Sequence, residues 1–192
     1  MEKKLSPAVI LDRDGTLHRD TGYLIRFEDF EPLPGVEEAL ILLRDAGFRL
    51  FVAGNRSGVA RGFFSLEQVL ALNVKIREYF QSRGIDIEDW VVCPHHPEGT
   101  VAAYARECDC RKPKPGMLLD LARRHGLDLS RSYMVGDHPR DAEAGIAAGA
   151  TGVLIRANSK GSLDKQKGLK EFPSILEFAN SVRGAQASHA SE

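Results

Sequence analysis

Short apolar runs rich in β-branched and aromatic residues alternate along this chain with segments of helical periodicity, and that alternation narrows the fold more than any other feature. Strands are expected at Ala8 to Leu11, Phe48 to Ala53, Trp90 to Cys93, Tyr133 to Gly136 and Gly152 to Ile155. The spacing of apolar residues between them predicts helices over Gly35 to Ala46, Ser65 to Ser82, Gly116 to His125 and Pro139 to Ala148. Gly47 is placed to stop the first of these, and Ser65-Leu66-Glu67-Gln68 has the form of a capping box for the second. Parallel strands need long right-handed crossovers, so this order implies a parallel central sheet with helices on both faces. The expected class is α/β, a three-layer sandwich forming one domain over residues 1–183. A small, polar, frayed tail is expected over residues 184–192. The Lys-rich stretch from Lys160 to Lys170 reads as solvated surface.

With 43% hydrophobic residues among 192, the chain carries enough apolar side chain for one substantial core. A formal net charge of -1 gives no overall field for nucleic acid or an anionic membrane, so neither partner is expected and recognition is local. No apolar run approaches the ~20 residues that span a bilayer. Met1-Glu2-Lys3-Lys4 lacks the apolar core of a secretion signal, which points to the cytoplasm. In that reducing compartment the odd set Cys93, Cys108 and Cys110 favours metal ligation over disulfides.

The first expected strand runs straight into acids: Val9-Ile10-Leu11-Asp12-Arg13-Asp14-Gly15-Thr16-Leu17. In a parallel sheet, ligands bind at the carboxyl ends of the strands, where Asp12 and Asp14 fall. Carboxylates this close repel unless a cation lies between them, and a hard ion such as Mg²⁺ suits oxygen donors. A solvated acidic turn is the competing reading, and the whole run DRDGT after VIL weighs against it.

DRDGT after an apolar strand resembles the nucleophile motif of the haloacid dehalogenase (HAD) superfamily of phosphohydrolases. The resemblance implies a Rossmann-like domain in which Asp12 attacks phosphorus, forming an aspartyl-phosphate, while Asp14 protonates the leaving oxygen and then activates water. It also implies Mg²⁺ held by Asp12, Asp14 and Asp137, the last in Val135-Gly136-Asp137, with Asp141 supporting it one helical turn on. Lys112, in Cys110-Arg111-Lys112-Pro113-Lys114-Pro115-Gly116, matches the superfamily's phosphoryl-stabilising lysine, and Arg111 beside it could clamp a phosphate or hydroxyl. Cys93-Pro94-His95-His96 and Cys108-Asp109-Cys110 supply pairs with ligand spacing. Cys93, His95, Cys108 and Cys110 would close a structural Zn²⁺ site that staples the loop leading into Arg111, with His96 the lesser histidine candidate.

Taken together, DRDGT, NxSGxARG, CPHHPEG, CDCRKPKPG and YMVGD resemble the D-glycero-D-manno-heptose 1,7-bisphosphate phosphatases, a group related to histidinol-phosphate phosphatases. By this resemblance Asp20, Thr21, Gly22 and Tyr23 line the substrate site, with Gly54, Asn55, Arg56, Ser57 and Arg111. No large cap domain is implied, and the expected partner is a small phosphorylated substrate bound by a monomer. The chain departs from the pattern at several points. Gly54 stands for a threonine, Arg56 for a glutamine, Thr21 for a histidine, His18 for an asparagine and His138 for a lysine. Loss of the threonine hydroxyl could fall to a loop amide at Gly54 or to the side chains of Asn55 and Ser57. Histidinol phosphate or another small phosphomonoester remains an alternative substrate, and a descendant that binds a phospho-ligand without turnover remains an alternative function.

Overall fold

β1 (Ala8–Leu11) is apolar at every position because it is covered on both faces, and each of its residues is buried. A computed structural model describes residues 5–156 and 167–189 of the chain. β1 is followed by α1 (Val36–Asp45), β2 (Arg49–Asn55), a short α2 (Ser57–Ala60), α3 (Leu66–Gln81), β3 (Asp89–Cys93) and α4 (Gly116–His125). Then come β4 (Tyr133–Gly136), α5 (Pro139–Ala147), β5 (Thr151–Ile155), β6 (Leu169–Phe172) and α6 (Ile175–His189). The strands form one parallel sheet in the order β3-β2-β1-β4-β5-β6. β1 is therefore central, with Val9 opposite Leu50 on one side and Tyr133 on the other.

Alternation along the strands separates two apolar layers. Val9 and Leu11 join Val52, Val135 and Val153 under α1, α3 and α6, where Leu40, Ile76 and Phe178 are fully buried. Ala8 and Ile10 join Phe51, Ala53 and Met134 under α4 and α5, through Met117, Leu118, Leu121 and Ala144. Truncating a residue such as Leu11 to alanine removes contacts from a closed layer and costs about 2–5 kcal/mol.

The capping box at Ser65 forms in both directions, the Gln68 N–H donating to Ser65 Oγ and the Ser65 N–H to Gln68 Oε1. Three differences from the sequence reading have local causes. The second strand is shifted to Arg49–Asn55, because the Phe48 N–H still closes the α1 turn on the Leu43 carbonyl while Gly54 and Asn55 pair with β3. β6 (Leu169–Phe172) begins at the end of the stretch from Lys160 to Lys170 read as solvated surface. Its charged Lys170 and Glu171 are exposed at the sheet edge, so the sequence there reads as polar although Leu169 to Phe172 pair with β5. Residues 160–166 of that stretch lie outside the described residues. α6 continues through Gly184 to His189, where a frayed tail was expected, and residues 190–192 lie outside the described residues.

Two connections at the carboxyl edge are long. Residues 12–35 join β1 to α1 with only a 3-10 turn at Phe27–Asp29, and residues 94–115 join β3 to α4. Neither forms a separate cap domain. Both lie over the strand ends that carry the acids.

Candidate active site

The sheet delivers its functional groups to one edge: Asp12 directly after β1, Gly54 and Asn55 at the end of β2, Cys93 at the end of β3 and Asp137 directly after β4. Lys112 arrives there from the β3–α4 connection and is 2 % exposed. Its Nζ lies 2.7 Å from Asp12 Oδ1, 2.7 Å from the Ala53 carbonyl oxygen and 2.7 Å from Asp141 Oδ1. Asn55 fixes the lysine by its backbone: Asn55 Nδ2 donates to the Lys112 carbonyl, and Asn55 Oδ1 accepts from the Lys112 N–H, each at 3.0 Å. Thus Asn55, read as a substrate contact, also sets the register of the catalytic-lysine candidate.

The carboxylates that converge are those of Asp12, Asp137 and Asp141, with oxygens within 4.8 Å of one another and all three residues buried. Burial and the neighbouring Asp12 push the Asp141 carboxyl up, against the pull of Lys112. Oxygen-only donors crowded in this way fit a hard divalent cation such as Mg²⁺. Gly15 completes the arrangement. Its φ of 78° turns the chain after Asp14, and a Cβ there would come within 2.1 Å of Asp137 Oδ2, so only glycine allows the β1 turn to lie against Asp137.

Asp14 is placed differently from the reading that made it a third Mg²⁺ ligand. Its Oδ1 accepts from Arg13 Nε at 2.7 Å and lies 2.6 Å from His18 Nε2, while Oδ2 pairs with Arg56 Nη1 at 3.0 Å. Burial by itself would raise the Asp14 carboxyl, but Arg56, Arg13 and His18 together hold it far below the usual carboxylate range. Arg13, 1 % exposed, has a partner at every nitrogen: besides Nε on Asp14, Nη1 binds Asn73 Oδ1 at 2.8 Å and Nη2 binds the Leu24 carbonyl at 3.4 Å. The side chains of Asp14 and Asp12 therefore serve different neighbours, one a cage of cations and the other a lysine and carboxylates.

A cavity of about 320 Å³ opens onto Asp12, Asp14 and Asp137. Asp20, Gly22 and Tyr23 form part of its wall, as do Asn55, Arg56, Ser57 and Arg111. Thr21 is exposed and lies outside the wall, and Gly54 lies beneath Arg56. His138, Arg140 and Phe64 also line the cavity, and sequence reasoning did not single out the last two. Arg140 could have been found, since it sits one residue before Asp141 on the first turn of α5. No local pattern marks Phe64.

Beside this cavity, Cys93, His95, Cys108 and Cys110 come together, each offering one atom within 4.8 Å of the others. Cys93 Sγ is 3.5 Å from Cys108 Sγ, Cys108 and Cys110 Sγ are 3.2 Å apart, and His95 Nδ1 is 3.4 Å from Cys110 Sγ and 3.8 Å from Cys93 Sγ. A tetrahedral zinc with bonds of roughly 2.0–2.3 Å requires ligand edges of about 3.5–3.8 Å, and thiolates with an imidazole are its usual donors, so the set fits Zn²⁺. His96 stands apart, with Nε2 3.3 Å from Arg61 Nη2. Arg111 Nη1 donates to the His95 carbonyl at 3.2 Å, which ties the cluster to the cavity wall. Burial pushes the Cys93 thiol up, so without a cation this thiol stays protonated.

Comparison with known proteins agrees with this geometry. A family model described as HAD-hyrolase-like matches residues 109–183. The D-glycero-beta-D-manno-heptose-1,7-bisphosphate 7-phosphatase of Photorhabdus laumondii is 45% identical over 151 residues, covering 78% of this chain and 80% of the relative. The protein of the same name from Pasteurella multocida is 36% identical over 185 residues, covering 95% of this chain and 100% of the relative. Among solved structures, the D,D-heptose 1,7-bisphosphate phosphatase from B. bronchiseptica, complexed with magnesium and phosphate, superimposes with a TM-score of 0.80 at 29% identity, covering 93% of this chain and 99% of that one. The parallel sheet, the acids at its carboxyl edge and these relatives converge on one statement: the chain is a HAD-superfamily phosphatase and belongs to the heptose 1,7-bisphosphate phosphatase family.

Proposed function

We propose that the chain hydrolyses the 7-phosphate of D-glycero-D-manno-heptose 1,7-bisphosphate through an aspartyl-phosphate on Asp12. The observation that carries this reading is the Lys112 Nζ contact to Asp12 Oδ1, which orients a buried carboxylate at the wall of a cavity while its charge is compensated. The named substrate of the relatives supports the choice of sugar. A free Asp12 oxygen attacks phosphorus as the bond to the leaving alcohol breaks, and Asp14, protonated only once the bound phosphoester draws the surrounding cations off its carboxyl, gives that alcohol oxygen its proton. Water then attacks the acyl phosphate, Asp14 takes the water's proton, and phosphate and the Asp12 carboxylate are released. Mg²⁺ held by Asp12, Asp137 and Asp141 would neutralise the phosphoryl oxygens. Gly15, packed against Asp137, holds the two acid-bearing turns together. Lys112 keeps Asp12 and Asp141 from repelling each other, and Arg111 presents its guanidinium from a loop fixed by the Cys/His cluster, where Zn²⁺ would act as a structural ion.

Phosphate release in the presence of Mg²⁺ tests the reading, across both anomers of the heptose bisphosphate, histidinol phosphate and common sugar phosphates. Turnover of a heptose bisphosphate that vanishes in Asp12→Asn is the expected outcome. Preferential turnover of histidinol phosphate would reassign the substrate, and a folded, metal-loaded protein that turns over none of them would point to a binding-only descendant.

A further inference from the structure

The buried cations around the cavity differ in one respect. Arg13 and Lys112 commit their donors to the protein, Arg13 to Asp14, Asn73 and Leu24, and Lys112 to Asp12, Ala53 and Asp141. Arg56 is also buried, at 6 % exposure, yet only its Nη1 is engaged, by the Asn55 carbonyl at 2.7 Å and Asp14 Oδ2 at 3.0 Å. Among the described residues, Nε and Nη2 have no hydrogen-bond partner. These two nitrogens form one edge of the guanidinium, the parallel pair of N–H groups that matches two oxygens of a phosphate. A charged fork buried with that edge unmet is held at a cost, and an oxyanion is the ligand that removes it.

The place where the guanidinium rests is equally specific. It lies on Gly54: a Cβ added there would meet Arg56 Nη2 at 2.6 Å, Cζ at 2.8 Å and Nη1 at 3.0 Å. The three heavy atoms nearest to such a Cβ all belong to this side chain, so Arg56 is what a larger residue at position 54 would meet first. Gly54 and Arg56 are a single unit, and that unit stands on the wall shared with Asp12, Asp14 and Asp137.

We propose that Arg56 grips the phosphoryl group transferred in this site, and that Gly54 is the berth in which its guanidinium rests while the cavity holds no phosphate. The inference rests on the phosphoester reading of the cavity. When a phosphate enters, the guanidinium leaves the berth and turns its unmet edge to two phosphoryl oxygens. The donors supplied in this way replace the hydroxyl contact that Gly54 cannot make. Among the other candidates for that contact, the Asn55 amide is bound to the Lys112 backbone, the Gly54 amide lies within β2, and Ser57, on the cavity wall at the start of α2, brings no charge to a phosphate.

Binding of inorganic phosphate in the presence of Mg²⁺, followed by calorimetry and by competitive inhibition of turnover, tests the proposal on wild type, Arg56→Gln, Arg56→Lys and Gly54→Ala. Arg56→Gln is expected to weaken phosphate at least tenfold and to raise KM in parallel, with the melting temperature of the ligand-free protein unchanged or higher. Arg56→Lys, which keeps the charge and loses the fork, should recover part of the affinity. Gly54→Ala displaces only the mobile end of Arg56 and should bind phosphate at least as tightly as wild type. Wild-type affinity in Arg56→Gln overturns the grip, and a folded Gly54→Ala that loses phosphate as severely as Arg56→Gln overturns the berth. If wild type itself binds neither phosphate nor a phosphomonoester, the phosphoester reading falls and this inference with it, a failure distinct from the other two.

Discussion

Two clusters of ligand-like side chains share the carboxyl edge of the sheet, and they are held in opposite ways. The Asp12, Asp137, Asp141 and Lys112 cluster is buried, carries its acids on strand ends and a helix start, and offsets its own charge through a lysine from the β3–α4 connection. The Cys93, His95, Cys108 and Cys110 cluster sits mostly on a connection without regular structure, and three of its four members are partly exposed. Burial pushes the Cys93 thiol up, and the charge of Arg111 acts on Cys93 and Cys108 from a guanidinium whose hydrogen bond goes to the His95 carbonyl. The fold alone shapes the first cluster. The second needs its ion to become a rigid object, because metal binding and the ordering of the ligands are one equilibrium.

That contrast can be broken most directly at the nucleophile. Asp12→Asn should lower turnover on the order of 10⁴-fold or more while the melting temperature stays near or above wild type, measured by phosphate release and calorimetry. A residual rate near wild type would show that Asp12 does not attack. Next in size is Lys112→Met, which leaves Asp12 and Asp141 buried beside each other without their shared cation. It should cost about 3–5 kcal/mol of stability in denaturant unfolding, and added Mg²⁺ should restore part of it. Cys108→Ser should abolish zinc in the purified protein by elemental analysis and lower the melting point by several degrees, on the order of 2–4 kcal/mol, with turnover reduced less than in Asp12→Asn. Unchanged zinc content would remove Cys108 from the ligand set. The smallest effect is far from both clusters, at Asp89, where Arg124 and His125 Nε2 (2.8 Å) hold a half-buried carboxylate. Burial raises this carboxyl, but His125 and Arg124 outweigh it and the net shift is downward. Its stabilisation is therefore present above the ordinary carboxylate range, about pH 4, and is lost as pH falls through the depressed value. Asp89→Asn should cost under about 1 kcal/mol at pH 7 and progressively less as pH falls below about 4, by denaturant unfolding at each pH.

What the sequence disclosed, and what it withheld, follows the range of the forces involved. β1, β4 and α4 were legible at their observed bounds because each is a local pattern closed by acids or glycine. β6 was not, since its exposed charges carry no apolar signal and its identity as a strand comes only from β5 beside it. The Cys/His positions that come together were visible as residue types at suitable spacing, whereas among the acids Asp14 was read as a ligand and Asp141 only as its support, and it is Asp141 that converges with Asp12 and Asp137. The surroundings of Asp14 were not readable: Arg13 and His18 are near in sequence, but nothing local shows that their donors turn to its carboxylate and that Arg56 reaches it from the start of α2. Gly54 and Arg56 were visible only as two departures from a pattern. Their relation exists in three dimensions, as a side chain lying in the space that a missing Cβ leaves.

The central place of β1 has a consequence in time. Its ladder is completed on one side by β2, beginning at Arg49, and on the other by β4, beginning at Tyr133. During synthesis β1 and Asp12 precede β4, Asp137 and Asp141 by the whole of β2, β3 and their helices. A nascent polypeptide halted before Tyr133 would carry an unpaired apolar strand edge and an isolated acid, exposed to wrong pairing and open to holdase chaperones. The centre of the sheet is begun well before it is closed.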